Sequence, residues 1–379
     1  MNPSIPLNDN DRAYLADLWK RTEEKLSRTA KRIQDGMPYT TIDGAYDDWQ
    51  DVPHGWTNTF WAGILWHLFQ RSGNDEYRKH ATSIESKMDQ VLYDYEELHH
   101  DVGFMWLLSS VNNYRLTGKE KSGKRGLLAA SVLSSRYNLP GGFIRAWNGD
   151  NAGWAIIDCL MNLPLLFWAS EQTRDKRFLH IGVSHARKAA EHFVRPDGSV
   201  HHIVVFDEAG GQPVDWPVGQ GFQSGSAWSR GQAWAIYGFA QSHAWTGLPE
   251  FLATAQRVAH YVLAHLARTG YVPPCDYRQP ADSGLLDSSA GAITACGLLE
   301  IARHVPACDQ AVYRDSALRI LKALDESCGN WNAGDEALLT KGTSAFHPNG
   351  HRGYVANGAL IYGDYYFVEA HCLLKALAS

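Results

Sequence analysis

Apolar residues recur at helical spacing along most of the chain, and the polar positions between them divide the segments into two kinds. In residues 9–33, Leu15, Leu18 and Leu26 share one face, while lysines, arginines and glutamates occupy the other. This spacing predicts an amphipathic helix that buries one face. Residues 56–69 are apolar almost all the way round, which predicts a helix buried on every side.

The two kinds of helix alternate to the end of the sequence. Amphipathic segments are predicted at 9–33, 74–95, 119–137, 175–193, 250–267 and 309–325. Apolar segments are predicted at 56–69, 104–116, 156–168, 226–245, 286–301 and from 362 onward. Helical hairpins of this kind bury their apolar faces when they close into a ring. We therefore expect an all-α protein, an (α/α)6 barrel with the apolar helices inside, and a single domain over residues 1–379.

In such a ring the inner helices all begin at the same end, so residues near their first turns converge on one mouth. The polar or aromatic residues at or just before these starts are Asn58, Asp101, Asp158, Trp228, Arg230, Asp287 and Asp364. Helix N-termini also favour anions at this mouth.

Two aspartates of this group could form an acid–base site. Asp158 is the one carboxylate in the apolar segment 156–168. Burial of an unpaired carboxylate raises its pKa, and an acid that keeps its proton near neutral pH can act as a general acid. The alternative for Asp158 is a structural ion pair with an arginine. Asp101 would supply the second carboxylate, but it also fits the cap of the helix that follows it.

Aromatic and basic residues accompany the two carboxylates. Trp228 and Arg230 can reach the mouth from a first turn, where an arginine stacks on a ring or binds a carboxylate. The alternative for Arg230 is an internal salt bridge with an aspartate of an inner helix. His100 and His202 could donate to an anionic substrate, or be ordinary loop histidines. No spacing of histidine and carboxylate on one helix indicates a metal site.

Charge and cysteine usage narrow the class of protein. The net charge of −6 argues against a general binder of nucleic acid or of anionic membranes. None of the six cysteines forms a CxxC pair, and residues 1–6 lack the basic and apolar regions of a signal peptide. We expect free thiols, a cytoplasmic location, and no partner of the nucleic-acid or membrane class.

Four strings stand in order along the chain: HDVGF at 100–104, IDCLMNLPLL at 157–166, SAWSRGQAWAIYG at 226–238 and YGDYY at 362–366. Together they resemble the unsaturated glucuronyl hydrolases of glycoside hydrolase family 88. The resemblance runs from about residue 56 to the C-terminus. The loop at 341–361 diverges from the family pattern, so no residue role is carried to it. Its basic residues Lys341, His351 and Arg352 could meet a sulfate group, or simply be solvated.

The resemblance implies both a fold and a site. The fold would be an (α/α)6 barrel, with Asp158 as general acid and base and Asp101 as a second essential carboxylate. The implied substrate contacts are His100, His202, Gln220, Trp228, Arg230, Trp234, Asn58 and Trp56. Neither a metal nor an organic cofactor is implied, and we expect a monomer or homodimer.

The implied reaction removes a terminal 4,5-unsaturated uronic acid from oligosaccharides that polysaccharide lyases produce. A proton from Asp158 would reach C4 of the vinyl ether, leaving a cation across C5 and the ring oxygen. An ionised Asp101 would stabilise that cation. Asp158 would then activate the water that adds at C5, and the resulting hemiketal would collapse and release the neighbouring sugar.

Two other classes stay open on the sequence. A conventional acid–base glycosidase on the same barrel would cleave saturated glycosides and leave a ring alkene intact. A non-catalytic sugar-binding barrel would bind through Trp228 and Trp234 without turnover.

Overall fold

Twelve helices make up most of the computed structural model, which describes residues 7–348 and 353–378. The helices are α1 Asp9–Ile33, α2 Phe60–Ser72, α3 Asp75–Tyr93, α4 102–117, α5 Glu120–Ser135, α6 Leu163–Thr173, α7 Lys176–His192, α8 Ser229–Thr246, α9 Pro249–Leu266, α10 Ser288–His304, α11 Ala307–Cys328 and α12 Ile361–Ala378. Helix α4 runs through three segments and contains a π-helical turn at Leu107–Val111. All twelve predicted helices are present, and only that at 156–168 begins far from its expected residue.

The even-numbered helices form a closed inner ring. Helix α2 contacts α4, α4 contacts α6, and the series continues through α8, α10 and α12 back to α2. Each odd-numbered helix packs on the outside of an inner one, and α1 packs on α12. In α10 every residue from Ser288 to Ala302 is buried, as an inner helix requires. The predicted (α/α)6 barrel is confirmed. No helix in the described part of the chain has the length and apolarity to cross a bilayer.

Short antiparallel strands fill the connections between hairpins. They are β1 Thr41–Ile42, β2 Ala45–Tyr46, β3 Tyr137–Asn138, β4 Phe143–Ile144, β5 Trp154–Ile156, β6 Ile203–Phe206 and β7 Pro213–Asp215. β5 pairs with β6, and the N–H of Ile157 donates to the carbonyl of His202 at 3.0 Å just beyond that pairing. The pairing therefore places the residue after Ile157, which is Asp158, beside the residue before β6, which is His202.

The helix expected over 156–168 is the main error of the sequence analysis. Ile156 is extended (φ −131°, ψ 144°), residues Ile157–Met161 form a 3-10 turn, and α6 begins only at Leu163. β-Branched Ile156 suits a strand, and Pro164 suits a first helical turn, where its missing N–H has no intrahelical partner to lose. Asp158 thus lies on a tight turn between strand and helix, with its side chain 16% exposed.

Candidate functional site

A buried asparagine ties together the two segments that hold Asp101 and Asp158. The Oδ1 atom of Asn162 accepts from the N–H of Phe104 at 2.8 Å, and its Nδ2 donates to the carbonyl of Asp158 at 3.2 Å. Gly103 permits this approach, because a Cβ there would lie 2.3 Å from the Cα of Asn162. The start of α4 and the Asp158 turn therefore hold a fixed relative position.

The carboxylate of Asp158 faces the ring of His202 across a gap. Asp158 Oδ1 and His202 Nε2 are 3.5 Å apart, and both are buried and unpaired. The other ring nitrogen, Nδ1, accepts from the backbone N–H of Gln220 at 3.0 Å. Gly219 has φ +63°, and a Cβ there would lie 1.9 Å from His202 Nδ1, so only glycine fits. Contacts of this kind often tighten when a substrate binds.

Trp228 contacts both His202 and Arg230. Its ring centroid lies 4.3 Å from that of His202, at an interplanar angle of 48°, and the Arg230 guanidinium carbon lies 4.5 Å from the centroid of the Trp228 ring. Arg230 is 1% exposed and pairs with Asp287, so the internal salt bridge considered from the sequence is present. It also donates to the carbonyls of Thr343, at 2.8 Å, and of Ser344. Arg230 therefore joins α8, α10 and the late loop.

Asp101 is buried beside two histidines. Its Oδ1 lies 3.2 Å from His100 Nε2 and its Oδ2 lies 3.4 Å from His99 Nδ1. Its side chain makes no capping bond to α4, so a simple helix cap is not what this residue provides. Burial raises the pKa of Asp101 to about 7, and the charge of Asp158 adds to the rise, although His99 opposes it. Burial also lowers the pKa of His99 and of His100 to about 4.

A cavity of about 400 Å³ lies beside His202, and neither Asp101 nor Asp158 is among the residues that line it. It is lined by Tyr39, Trp56, Trp147, His202, Ile203, Gly219, Gln220, Ser344, Ala345, Gly353 and Tyr354. Among these, Trp56, His202 and Gln220 were predicted as substrate contacts. His202, rather than its neighbour His201, faces the carboxylate, because His201 turns toward Trp216 at 5.9 Å. Aromatic walls and a few polar groups suit a sugar ring.

Other predicted contact residues are not among those that line the cavity. Asn58 is fully buried, and its amide donates to the carbonyls of Val52 and Pro53, which shapes the turn before Trp56. Trp234 is 1% exposed and packs on Phe104 at 5.2 Å. Neither lines the cavity, and a direct substrate contact for either residue or for Arg230 stays a prediction.

Two further aspartates of the predicted mouth have structural partners. Asp287 caps α10 by accepting from the N–H groups of Ser289 and Ala290, in addition to pairing with Arg230. Asp364 is buried and accepts from the N–H groups of Leu338 and Leu339 and from the hydroxyl of Tyr46. Both carboxylates organise loops around the mouth.

Sequence reasoning missed the contribution of the late loop. Ser344 lines the cavity, and its carbonyl accepts from Gln220 Nε2 at 2.7 Å. Trp147, which lies 5.6 Å from the ring of His100, was also missed, although an aromatic residue before an inner helix was an available signal. His351 and Arg352, considered for sulfate contact, lie outside the described residues.

The Asp101 cluster groups three ionisable side chains. Nitrogen and oxygen atoms of His99, His100 and Asp101 all lie within 4.8 Å of one another. The same atoms lie at hydrogen-bond and ion-pair distances of 3.2 and 3.4 Å, which makes them an acid–base group in their own right. The expectation of no metal stays a prediction.

Comparison with known proteins identifies related sequences and structures. Residues 27–324 match the model of Glycosyl Hydrolase Family 88. The chain is 38% identical to the unsaturated glucuronyl hydrolase of Bacillus sp. strain GL1, over 91% of this chain and 92% of that one. It is 35% identical to the unsaturated chondroitin disaccharide hydrolase of Streptococcus pyogenes serotype M1, over 83% and 80% of the two chains. The crystal structure of the Bacillus sp. GL1 enzyme superposes with a TM-score of 0.89 at 34% identity, covering 96% of this chain and 98% of that one.

Proposed function

The chain belongs to glycosyl hydrolase family 88, and from this premise we propose that Asp158 and Asp101 are its catalytic carboxylates. It is a glycoside hydrolase that removes an unsaturated uronic acid from oligosaccharides. The observation that carries the proposal is the gap between Asp158 Oδ1 and His202 Nε2. Both atoms are buried without a partner, and His202 lines a cavity of sugar size.

Asp158 acts as the acid and then as the base of an alkene hydration. It delivers a proton to C4 of the C4=C5 vinyl ether, which places positive charge across C5 and the ring oxygen. The Asp158 carboxylate then takes a proton from the water that adds at C5. The hemiketal opens and expels the neighbouring sugar. Because water attacks C5 rather than the anomeric carbon, the spacing rule for retaining and inverting glycosidases does not apply.

The residues around the two carboxylates orient the sugar and the charge. The ring of His202 faces the carboxylate of Asp158 across 3.5 Å, and Gln220 and Gly219 fix the ring of His202. Asp101, in its ionised form, stabilises the cation next to it. Trp56, Trp147 and Tyr39 supply the aromatic walls on which the sugar packs. No step requires a metal or an organic cofactor.

We also propose the domain organisation, oligomeric state, partner classes and location that the sequence indicated. The whole of residues 1–379 forms one catalytic domain, as a monomer or homodimer, with no nucleic-acid or membrane partner. The thiols Cys159, Cys275, Cys296 and Cys328 are free and buried, which suits the reducing conditions of the cytoplasm.

The test is the absorbance of the unsaturated uronate group, followed with lyase-derived disaccharides from chondroitin, hyaluronan, heparin and ulvan-type polymers. We expect one of these substrates to lose its absorbance with the wild-type protein. Asp158→Asn should lose nearly all turnover and still bind that substrate. A matched control is Asp150→Asn, a change in an exposed loop aspartate, which should keep wild-type turnover.

Other outcomes would support a different class. Full activity in Asp158→Asn would remove the proposed acid. Release of sugar with the absorbance retained would indicate a conventional glycosidase. Binding without turnover on any substrate would indicate a sugar-binding barrel.

A further inference from the structure

The two histidines at the site hold their protons on different ring nitrogens. His100 Nδ1 lies 3.0 Å from the carbonyl oxygen of Ala146. A carbonyl can only accept, so Nδ1 bears the hydrogen of the neutral ring. His100 Nε2 then presents a lone pair, and it points at Asp101 Oδ1 from 3.2 Å.

His202 is in the opposite state. Its Nδ1 accepts from the backbone N–H of Gln220 at 3.0 Å, so Nδ1 has no hydrogen and Nε2 bears one. The N–H at Nε2 faces Asp158 Oδ1 from 3.5 Å. Asp101 therefore faces a lone pair, and Asp158 faces a hydrogen-bond donor.

We propose that in the resting enzyme Asp101 is a neutral carboxylic acid that donates its proton to His100 Nε2, while Asp158 is the ionised carboxylate. Two acceptors at 3.2 Å repel each other, so one proton must lie between Asp101 and His100. A proton on His100 instead would make an imidazolium on a ring that is 2% exposed. Asp158 needs no proton of its own, because the N–H at His202 Nε2 already faces its carboxylate.

The other groups around Asp101 act on its ionisation in both directions. His99 Nδ1 lies 3.4 Å from Oδ2 and accepts weakly, at 3.5 Å, from the backbone N–H of Asp101. The charge of Asp158 opposes ionisation of Asp101, whereas His99, Arg136 and a hydrogen bond from the Asn162 side chain favour it. Burial raises the pKa of Asp101 and lowers that of His100.

A single proton on the carboxylate pair has a consequence for catalysis, which rests on the function proposed above. The substrate brings its own carboxylate, and a neutral Asp101 keeps one negative charge out of a buried site. Before C4 is protonated, the proton must pass from Asp101 to Asp158. That transfer leaves the total charge unchanged, and it converts Asp101 into the anion that stabilises the cation at C5.

Infrared difference spectra of the substrate-free enzyme test the resting state without any turnover. At about pH 5, two units below the Asp101 pKa of about 7, wild type minus Asp101→Asn should show the C=O band of one buried carboxylic acid. Wild type minus Asp158→Asn should show loss of a carboxylate band instead. Buried Asp364 and Glu369 have pKa values of about 6 and about 7, are present in all three proteins, and cancel.

Histidine ¹⁵N chemical shifts give a second readout in the same proteins. We expect the Nδ1–H form for His100 and the Nε2–H form for His202. Asparagine at 101 keeps a donor toward His100 Nε2, so Asp101→Asn should fold and leave the His100 tautomer unchanged. An imidazolium pattern for His100, or a carboxylic acid band lost in Asp158→Asn and kept in Asp101→Asn, would overturn the proposal. Neither result depends on which substrate the enzyme accepts.

Discussion

Replacing Arg230 by methionine should lower the free energy of unfolding of the substrate-free protein. The guanidinium is 1% exposed, and it pairs with Asp287 and donates to the carbonyls of Thr343 and Ser344. Removing one partner of a buried pair leaves an uncompensated charge, at a cost of roughly 3–5 kcal/mol. Asp287→Asn should cost about as much, because it leaves Arg230 unpaired.

The double variant Arg230→Met with Asp287→Asn distinguishes the loss of a buried ion pair from a loss of packing. It removes both charges, and the asparagine oxygen can still cap α10, since asparagine and aspartate cap equally well. We expect the double variant to lose roughly 3–7 kcal/mol, below the roughly 6–10 kcal/mol sum of the single changes, since neighbouring sites couple by up to about 3 kcal/mol.

Urea unfolding of the four proteins, followed by tryptophan fluorescence, measures the coupling. An additive double variant would refute the buried-pair reading of Arg230. So would a cost below about 1 kcal/mol for Arg230→Met, which is the range of an exposed pair. In that case Arg230 would be available to the substrate, as the family resemblance implied.

Three further changes test the site. Gly219→Ala should lower kcat/KM about a hundredfold, because its Cβ would displace His202, whereas Gly284→Ala, with a similar φ of +65° and open space, should lose only about 1 kcal/mol of stability. Activity assays and urea unfolding of both variants check this, and equal activities would contradict it. Asp101 binds its proton more tightly when folded, so its contribution to stability is present at low pH and is lost as pH rises from about 4 to about 7. The difference in unfolding free energy between wild type and Asp101→Asn should therefore change over that window by up to about 1.4 kcal/mol per pH unit. A constant difference would contradict the assignment. Asn162→Ala leaves two backbone groups unpaired, so it should cost about 1–3 kcal/mol and lower kcat. Urea unfolding and activity assays of this variant measure both effects, and wild-type values for both would contradict the role given to Asn162.

Periodicity predicted the barrel because most helices are long and carry their own boundaries. Helix α1 matches its predicted range 9–33, since Asn8 caps its first turn and apolar residues repeat to Ile33. The segment at 156–168 failed because an apolar run alone cannot separate strand, turn and helix. There β5 pairs with β6, and this long-range pairing overrides local helical spacing.

The candidate site was predictable only where its residues lie near helix starts. Asp101 and Asp158 were found in this way, His202 was considered as a loop histidine, and the family resemblance added Gln220. The contact between Gln220 and Ser344 joins residues more than a hundred positions apart, so no local pattern indicates it. The protonation of Asp101 depends on the Ala146 carbonyl and on burial, which only the folded chain creates.

The reaction itself is tested most directly by NMR of the enzyme acting in D₂O on the disaccharide that loses absorbance. We expect the vinyl proton signal at C4 to disappear at the same rate as the neighbouring sugar is released, and C4 to gain one deuterium from the solvent. Asp158→Asn should show neither change. Release of the sugar with the C4 vinyl signal intact would contradict hydration of the alkene and would place attack at the anomeric carbon.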